Sequence, residues 1–181
     1  MDDLEVAVAA ARAGGAIVRD GFARSVIPEY KRQFDPVTAT DHSSEAAVLS
    51  VITERRPDDA ILAEESGGII PDGRLWIVDP LDGTVNFVHG IPQISVSVAL
   101  WEGDRPLAGV IYDPLRDECF SASADGGAYL NQRPIKVSPV ESLERSVAAT
   151  GFPYDHGDYA DEYAQVCLLY TSDAADDLVS V

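Results

Sequence analysis

Basic residues are scarce in this sequence: 13 Lys and Arg stand against 31 Asp and Glu, for a formal charge of −18 over 181 residues. A surface of that sign repels phosphate backbones, which argues against nonspecific binding to nucleic acid or to an anionic membrane. Cysteine is also scarce. Cys119 and Cys167 are too few for a disulfide framework and stand at no metal-ligand spacing, which fits a reducing compartment. Of the three histidines, His42 and His156 have no partner at ligand spacing, and His89 follows an amphipathic stretch and reads as structural. The N-terminus opens Met1-Asp2-Asp3, the opposite of a basic signal-peptide start, and no apolar run approaches membrane-spanning length. The expectation is a cytoplasmic protein.

Apolar residues make up 46% of the chain and aromatics 8%, enough for a globular core. Leu4, Val8, Ala11, Val18 and Phe22 recur at helical spacing after Asp2 and Asp3, either of which can cap the helix start. Residues 30–42 are polar and turn-rich, and a second helix is expected over 46–54, stopped near Pro57. Short apolar runs at 60–63 and 75–78 read as strands. Ile94, Val96, Val98 and Leu100 alternate with smaller residues, and 107–112 continues in the same style, as antiparallel neighbours would. Residues 118–137 hold further short strands broken at Gly126-Gly127 and at Pro134, and 146–149 begins another.

The stretch "LWIVDPLDGTVNFVHG" at 75–90 sets two acids where an apolar strand ends. Pro80 biases Asp79 toward extended backbone, so Asp79 closes the strand and Asp82 lies in the turn, with both carboxylates free to face one point. Two close carboxylates repel unless a proton or cation lies between them, and such hard oxygens suit Mg²⁺. The Leu81 carbonyl is a third candidate oxygen. Gly83 and Thr84 follow where a short helix can start, with backbone N–H groups suited to a phosphate. Glu64 ends the strand upstream and joins the two aspartates if the strands at 60–63 and 75–78 are neighbours. A bland account stays open for each piece: Asp-Pro and Asp-Gly are ordinary turn dipeptides, Glu64-Glu65 can be a solvated corner, and Asp35 and Asp41 can form a turn and a helix cap.

Together the residues carry a resemblance. "WIVDPLDGTVNFVHGIPQISVSVAL" resembles the first signature of the inositol monophosphatase family of Mg²⁺-dependent, lithium-sensitive phosphomonoesterases. "DPVTATD" at 35–41 resembles that family's Asp-x-Val-Thr-x-x-Asp element, and "ILAEES" at 61–66 its Gly-Glu-Glu-Ser element, with Ala63 in place of the glycine. The three elements occur in the family's order, and the likeness covers roughly residues 1–165.

The resemblance implies an α+β fold of the layered αβαβα sugar-phosphatase type: an antiparallel sheet with two helices over residues 1–145, the start of a second α/β part at 146–166, and most of that part missing. It implies metal ligation by Glu64, Asp79, Asp82 and the Leu81 carbonyl, with two or three Mg²⁺ ions. Asp82, Gly83 and Thr84 would bind the substrate phosphate, the last two through N–H groups. Asp41 and Thr84 would form a hydrogen-bonded pair near the attacking water, with Glu64 orienting or deprotonating it. The implied reaction is hydrolysis of a small sugar or polyol phosphate, inositol monophosphate foremost, by metal-activated water, with histidinol phosphate the nearest rival substrate. A homodimer is implied for the parent.

The family's later Trp-Asp-x-Ala-Ala-Gly motif is absent. Asp173-Ala174-Ala175 lacks its tryptophan and glycine and lies too soon after "ATGFPY". The tail at 167–181 breaks with the preceding pattern and is expected to be non-native read-through. A metal-binding domain without turnover is the non-enzymatic alternative.

Overall fold

A computed structural model describes residues 1–22, 24, 28–32, 35–142, 145–147 and 161, with only the backbone at 30–32 and 35. The chain divides into two compact units, Met1–Lys136 and Val137–Val181; the sequence pattern sets the corresponding boundary at 145. In the second unit the described residues form a turn closed by hydrogen bonds from Arg145 N–H and the Ser146 hydroxyl to the Ser142 carbonyl. The expected tail at 167–181, with Asp173-Ala174-Ala175, lies outside the described residues, as do 148–149 of the expected last strand.

In the first unit, helix α1 (Asp3–Phe22) starts at a reciprocal cap: Glu5 N–H donates to Asp2, and Asp2 N–H donates to Glu5. Its buried stripe is made of small residues, Val6, Ala7, Ala10, Ala11, Gly14, Gly15 and Val18, while Leu4, Val8 and Phe22 are only partly buried. That stripe lets neighbours come close. A Cβ on Gly14 would lie 2.7 Å from Val48, and one on Gly15 would lie 2.5 Å from the Tyr112 ring.

A two-stranded ribbon, β1 (Glu29–Arg32) and β2 (Asp35–Val37), occupies the segment whose polarity suggested turns alone. Helix α2 (Ala39–Arg55) begins seven residues before the apolar pattern does, because Thr38 caps it in extended conformation and Asp41 returns a bond to the Thr38 N–H. The capping box overrides the polar composition of the first two turns.

Among the described residues the remaining strands form one seven-stranded sheet in sequence order: β3 (Ala60–Ala63), β4 (Arg74–Asp82), β5 (Ser95–Glu102), β6 (Arg105–Asp113), β7 (Glu118–Ser123), β8 (Gly127–Leu130) and β9 (Arg133–Ile135). All pairings are antiparallel except β3 with β4, so the expected antiparallel sheet is a mixed one. Pro134 does not break the chain. It sits inside β9 at the sheet's edge, where its missing N–H costs nothing, and the break falls at Asn131 and Gln132, both at positive φ. Val96, Val98 and Leu100 on β5 point with Trp76, Val78 and Val110 into the core beneath α1 and α2, as the alternating pattern requires. Among the described residues no helix is long and apolar enough to cross a membrane.

Gly15→Ala tests how tightly α1 is seated. Helix propensity alone favours alanine by about 1 kcal/mol. The Tyr112 ring cannot yield, because its hydroxyl is bonded to Asp117 and Arg12 stacks over its face. We expect a net loss of about 1–3 kcal/mol in urea unfolding, whereas a gain would show that the ring moves freely.

Candidate active site

The parallel register of β3 and β4 pairs Ala63 with Val78, and Glu64 N–H donates to the Val78 carbonyl at 3.0 Å. Glu64 therefore lies beside Asp79, with the two carboxyl groups close enough to act on each other. Burial first, then the charge and hydrogen bond of Glu64, then the charge of Asp82 push the Asp79 carboxyl up to about 8. The Leu81 N–H, 3.1 Å from Asp79 Oδ1, works in the opposite direction.

From sequence, β4 ends at Asp79. In the structure it runs on to Asp82 through a β-bulge: Asp79 faces Ser97 and Asp82 faces Ser95, so two residues on β4 stand against one on β5. Pro80 and Leu81 fill the bulge, where a residue without an N–H is tolerated. Asp82 emerges exposed, 3.2 Å from the Ser95 hydroxyl. Gly83 then turns the chain at φ +88°, and a Cβ there would lie 2.9 Å from the Gln93 carbonyl. Both the turn and the close approach require glycine.

Thr84 opens α3 (Thr84–Val88), the expected short helix. Its buried hydroxyl lies 3.1 Å from Asp41 Oδ1 and 3.0 Å from the Leu81 carbonyl, so a single proton serves two acceptors. The other oxygen of Asp41 accepts the Thr38 N–H and hydroxyl.

Two contacts have no counterpart in the sequence reading. Ser44 donates from α2 to the Pro80 carbonyl at 2.7 Å, and Glu45 accepts the Glu65 N–H at 2.9 Å. Their signal was the spacing Asp41, Ser44, Glu45, one face of a helix at i, i+3 and i+4. Starting the helix at residue 46 hides it.

Glu64, Asp79, Leu81, Asp82, Gly83, Thr84 and Asp41 thus gather where β3, β4, α2 and α3 meet. Among the described residues no three carboxylate, imidazole or thiolate side chains converge tightly enough to enclose a cation as they stand. The donor set nonetheless fits a divalent ion: the crowding that pushes the Asp79 carboxyl up would be relieved by a hard cation. His89 is exposed and its Nδ1 lies 2.8 Å from the Val85 carbonyl, a local helix contact. His42 is exposed, while His156 and the side chain of Asp35 lie outside the described residues. A cavity of about 530 Å³ opens beside Asp82 and Gly83, bordered by Asn86, Gln93, Ser95 and Arg116.

The sequence model of the inositol monophosphatase family matches residues 2–174. The chain belongs to that family. The match runs past residue 165, where the motif resemblance stops. An inositol-1-monophosphatase of Synechocystis sp. is 44% identical over 170 residues, covering 92% of this chain and 59% of the relative. A protein of Pasteurella multocida named Nus factor SuhB is 40% identical over 157 residues, covering 83% of this chain and 58% of that one. The solved inositol monophosphatase of Anabaena superposes with a TM-score of 0.79 at 43% identity, covering 92% of this chain and 62% of its own. The α+β layered fold is therefore that of this family, and the chain spans less than two thirds of the length of these relatives.

The raised Asp79 carboxyl makes the metal-free fold sensitive to pH. Its folded value of about 8 exceeds the ordinary 3.8, so the folded state holds the extra proton between those limits. Its contribution to stability is full below about pH 4 and is lost as pH rises through 8. Melting in EDTA across that range should show this decline, flattened in Asp79→Asn. A variant that keeps the full slope would place its origin elsewhere.

Proposed function

We propose that the protein hydrolyses a small phosphomonoester with Mg²⁺, inositol monophosphate being the substrate. The observation that carries this reading is the Glu64–Asp79 carboxyl pair, held in contact by the β3–β4 register and placed beside the Thr84–Asp41 hydrogen bond. Glu64, Asp79, Asp82 and the Leu81 carbonyl would hold the ions, two or three in number. When bound, they would supply charge neutralisation on the phosphate and a lowered pKa for water.

The chain's own groups position the reaction. Thr84 donates its proton to Asp41, which leaves hydroxyl lone pairs to accept a hydrogen bond from the attacking water. Glu64, exposed at the strand end, is placed to orient that water or to take its proton. Backbone N–H groups of Gly83 and Thr84 bind the phosphate with Asp82 beside them, since the positive φ of Gly83 brings the backbone close. Phosphoryl transfer asks chiefly for positioning and charge neutralisation, which suits a site without a cysteine or histidine nucleophile. The reading extends to lithium sensitivity, a cytoplasmic location and a homodimeric parent, and histidinol phosphate is the rival substrate. A second, non-enzymatic reading as a metal-binding interaction domain is favoured by one observation, the relative named as a Nus factor.

The test is phosphate release from inositol monophosphate and from histidinol phosphate, with and without Mg²⁺. Asp79→Asn and Asp82→Asn should each lower kcat by about 100-fold or more, and Thr84→Ala by about 10- to 100-fold. Turnover near that of the unaltered protein in Asp79→Asn would sink the enzymatic reading. Mg²⁺ binding with no release from any phosphomonoester would favour the second.

A further inference from the structure

We propose that Ser44 and Glu45 are positioning residues for the carboxylate cluster, Ser44 fixing the bulge between Asp79 and Asp82 and Glu45 fixing the chain beside Glu64. The proposal rests on the metal-dependent reading of the site. Both side chains are buried, Ser44 at 0% and Glu45 at 5% exposure. A buried carboxylate is costly unless well bonded, and the charge-assisted bond from the Glu65 N–H is a strong one.

The places they grip are informative. Pro80 stands between Asp79 and Leu81, and its carbonyl takes the Ser44 hydroxyl; Glu65 directly follows Glu64, and its N–H is held by Glu45. Asp41, on the same helical face, holds Thr84. One rigid face of α2 thus ties together three chain segments that are separate in sequence: the end of β3, the bulge in β4 and the start of α3. Carboxyl groups crowded this closely repel once both ionise, so the backbone bearing them must be held. The packing of α1 accommodates the arrangement, because Gly14 leaves the space of the Ser44 hydroxyl, 2.7 Å from where its Cβ would lie.

Calorimetric titration with MgCl₂, alongside thermal melting, tests this in the unaltered protein and in Asp79→Asn, Glu45→Ala, Glu45→Gln and Ser44→Ala. Glu45→Ala should weaken Mg²⁺ binding about 10-fold or more, and Ser44→Ala about 3- to 10-fold. Glu45→Gln keeps an oxygen acceptor for the Glu65 N–H and should stay within about threefold of the unaltered protein. A role in folding alone would move the melting temperature and leave affinity in the folded protein unchanged. The proposal is overturned if Glu45→Ala or Ser44→Ala binds Mg²⁺ as the unaltered protein does. It is overturned equally if Glu45→Gln loses as much as Glu45→Ala, which would make charge and not the hydrogen bond responsible. Should Glu45→Ala fail to fold, Ser44→Ala and Glu45→Gln decide by the same criteria. No Mg²⁺ binding by the unaltered protein, or equal binding by Asp79→Asn, would count against the proposed function instead. In that event, amide exchange at Glu65 still judges the inference: exchange no faster in Glu45→Ala than in the unaltered protein overturns it.

Discussion

Glu64 and Asp79 stand side by side at the end of the parallel pair β3–β4, and much of the surrounding architecture keeps them there. Backbone pairing sets Glu64 against Asp79, and no rotation of either side chain removes the underlying proximity of their strands. The arrangement is unfavourable by itself, since burial and like charge both act against ionisation. Strain of this kind survives only where the neighbouring structure over-determines it.

Helix α2 is that neighbouring structure. Its outer turns are ordinary, but near its N-terminus Asp41, Ser44 and Glu45 are buried and aimed at Thr84, Pro80 and Glu65. Placing these polar groups on a helix and not on a loop fixes their mutual spacing. The β-bulge does a complementary task on β4. A regular strand would send Asp79 and Asp82 to opposite faces of the sheet, since an odd separation alternates sides; the extra residue breaks that alternation and re-aims the chain before Gly83.

The dipeptides and runs that made the site legible were those with a local physical signature. Asp-Pro, Asp-Gly and the strand-to-turn transition at 79–84 can be read without a partner, and the antiparallel strands β5 and β6 announce themselves by alternation. The adjacency of Glu64 and Asp79 remained conditional because strand pairing is not local. The early start of α2 was hidden because a capping box at Thr38–Asp41 outweighs eight residues of loop-like composition, and with it went Ser44 and Glu45. The bulge was invisible too: only the partner strand reveals that β4 carries one residue too many.

Charge supplies the remaining constraint on mechanism. With a formal charge of −18, the chain offers a phosphate ester a repulsive field, and the cavity beside Gly83 does little to reverse it. Among the described residues its lining includes Asp82, Asp113 and Glu118 against one cation, Arg116, which is itself paired with Asp113. A protein that binds phosphate through lysine or arginine would distribute its charges the other way. A divalent cation, if held by the site's crowded oxygens on the proposed reading, would reverse the sign of the field locally. On the proposed reading, the same acidic surface that discourages nonspecific anion binding would make affinity for a phosphate ester conditional on ions that Glu64, Asp79 and Asp82 would hold.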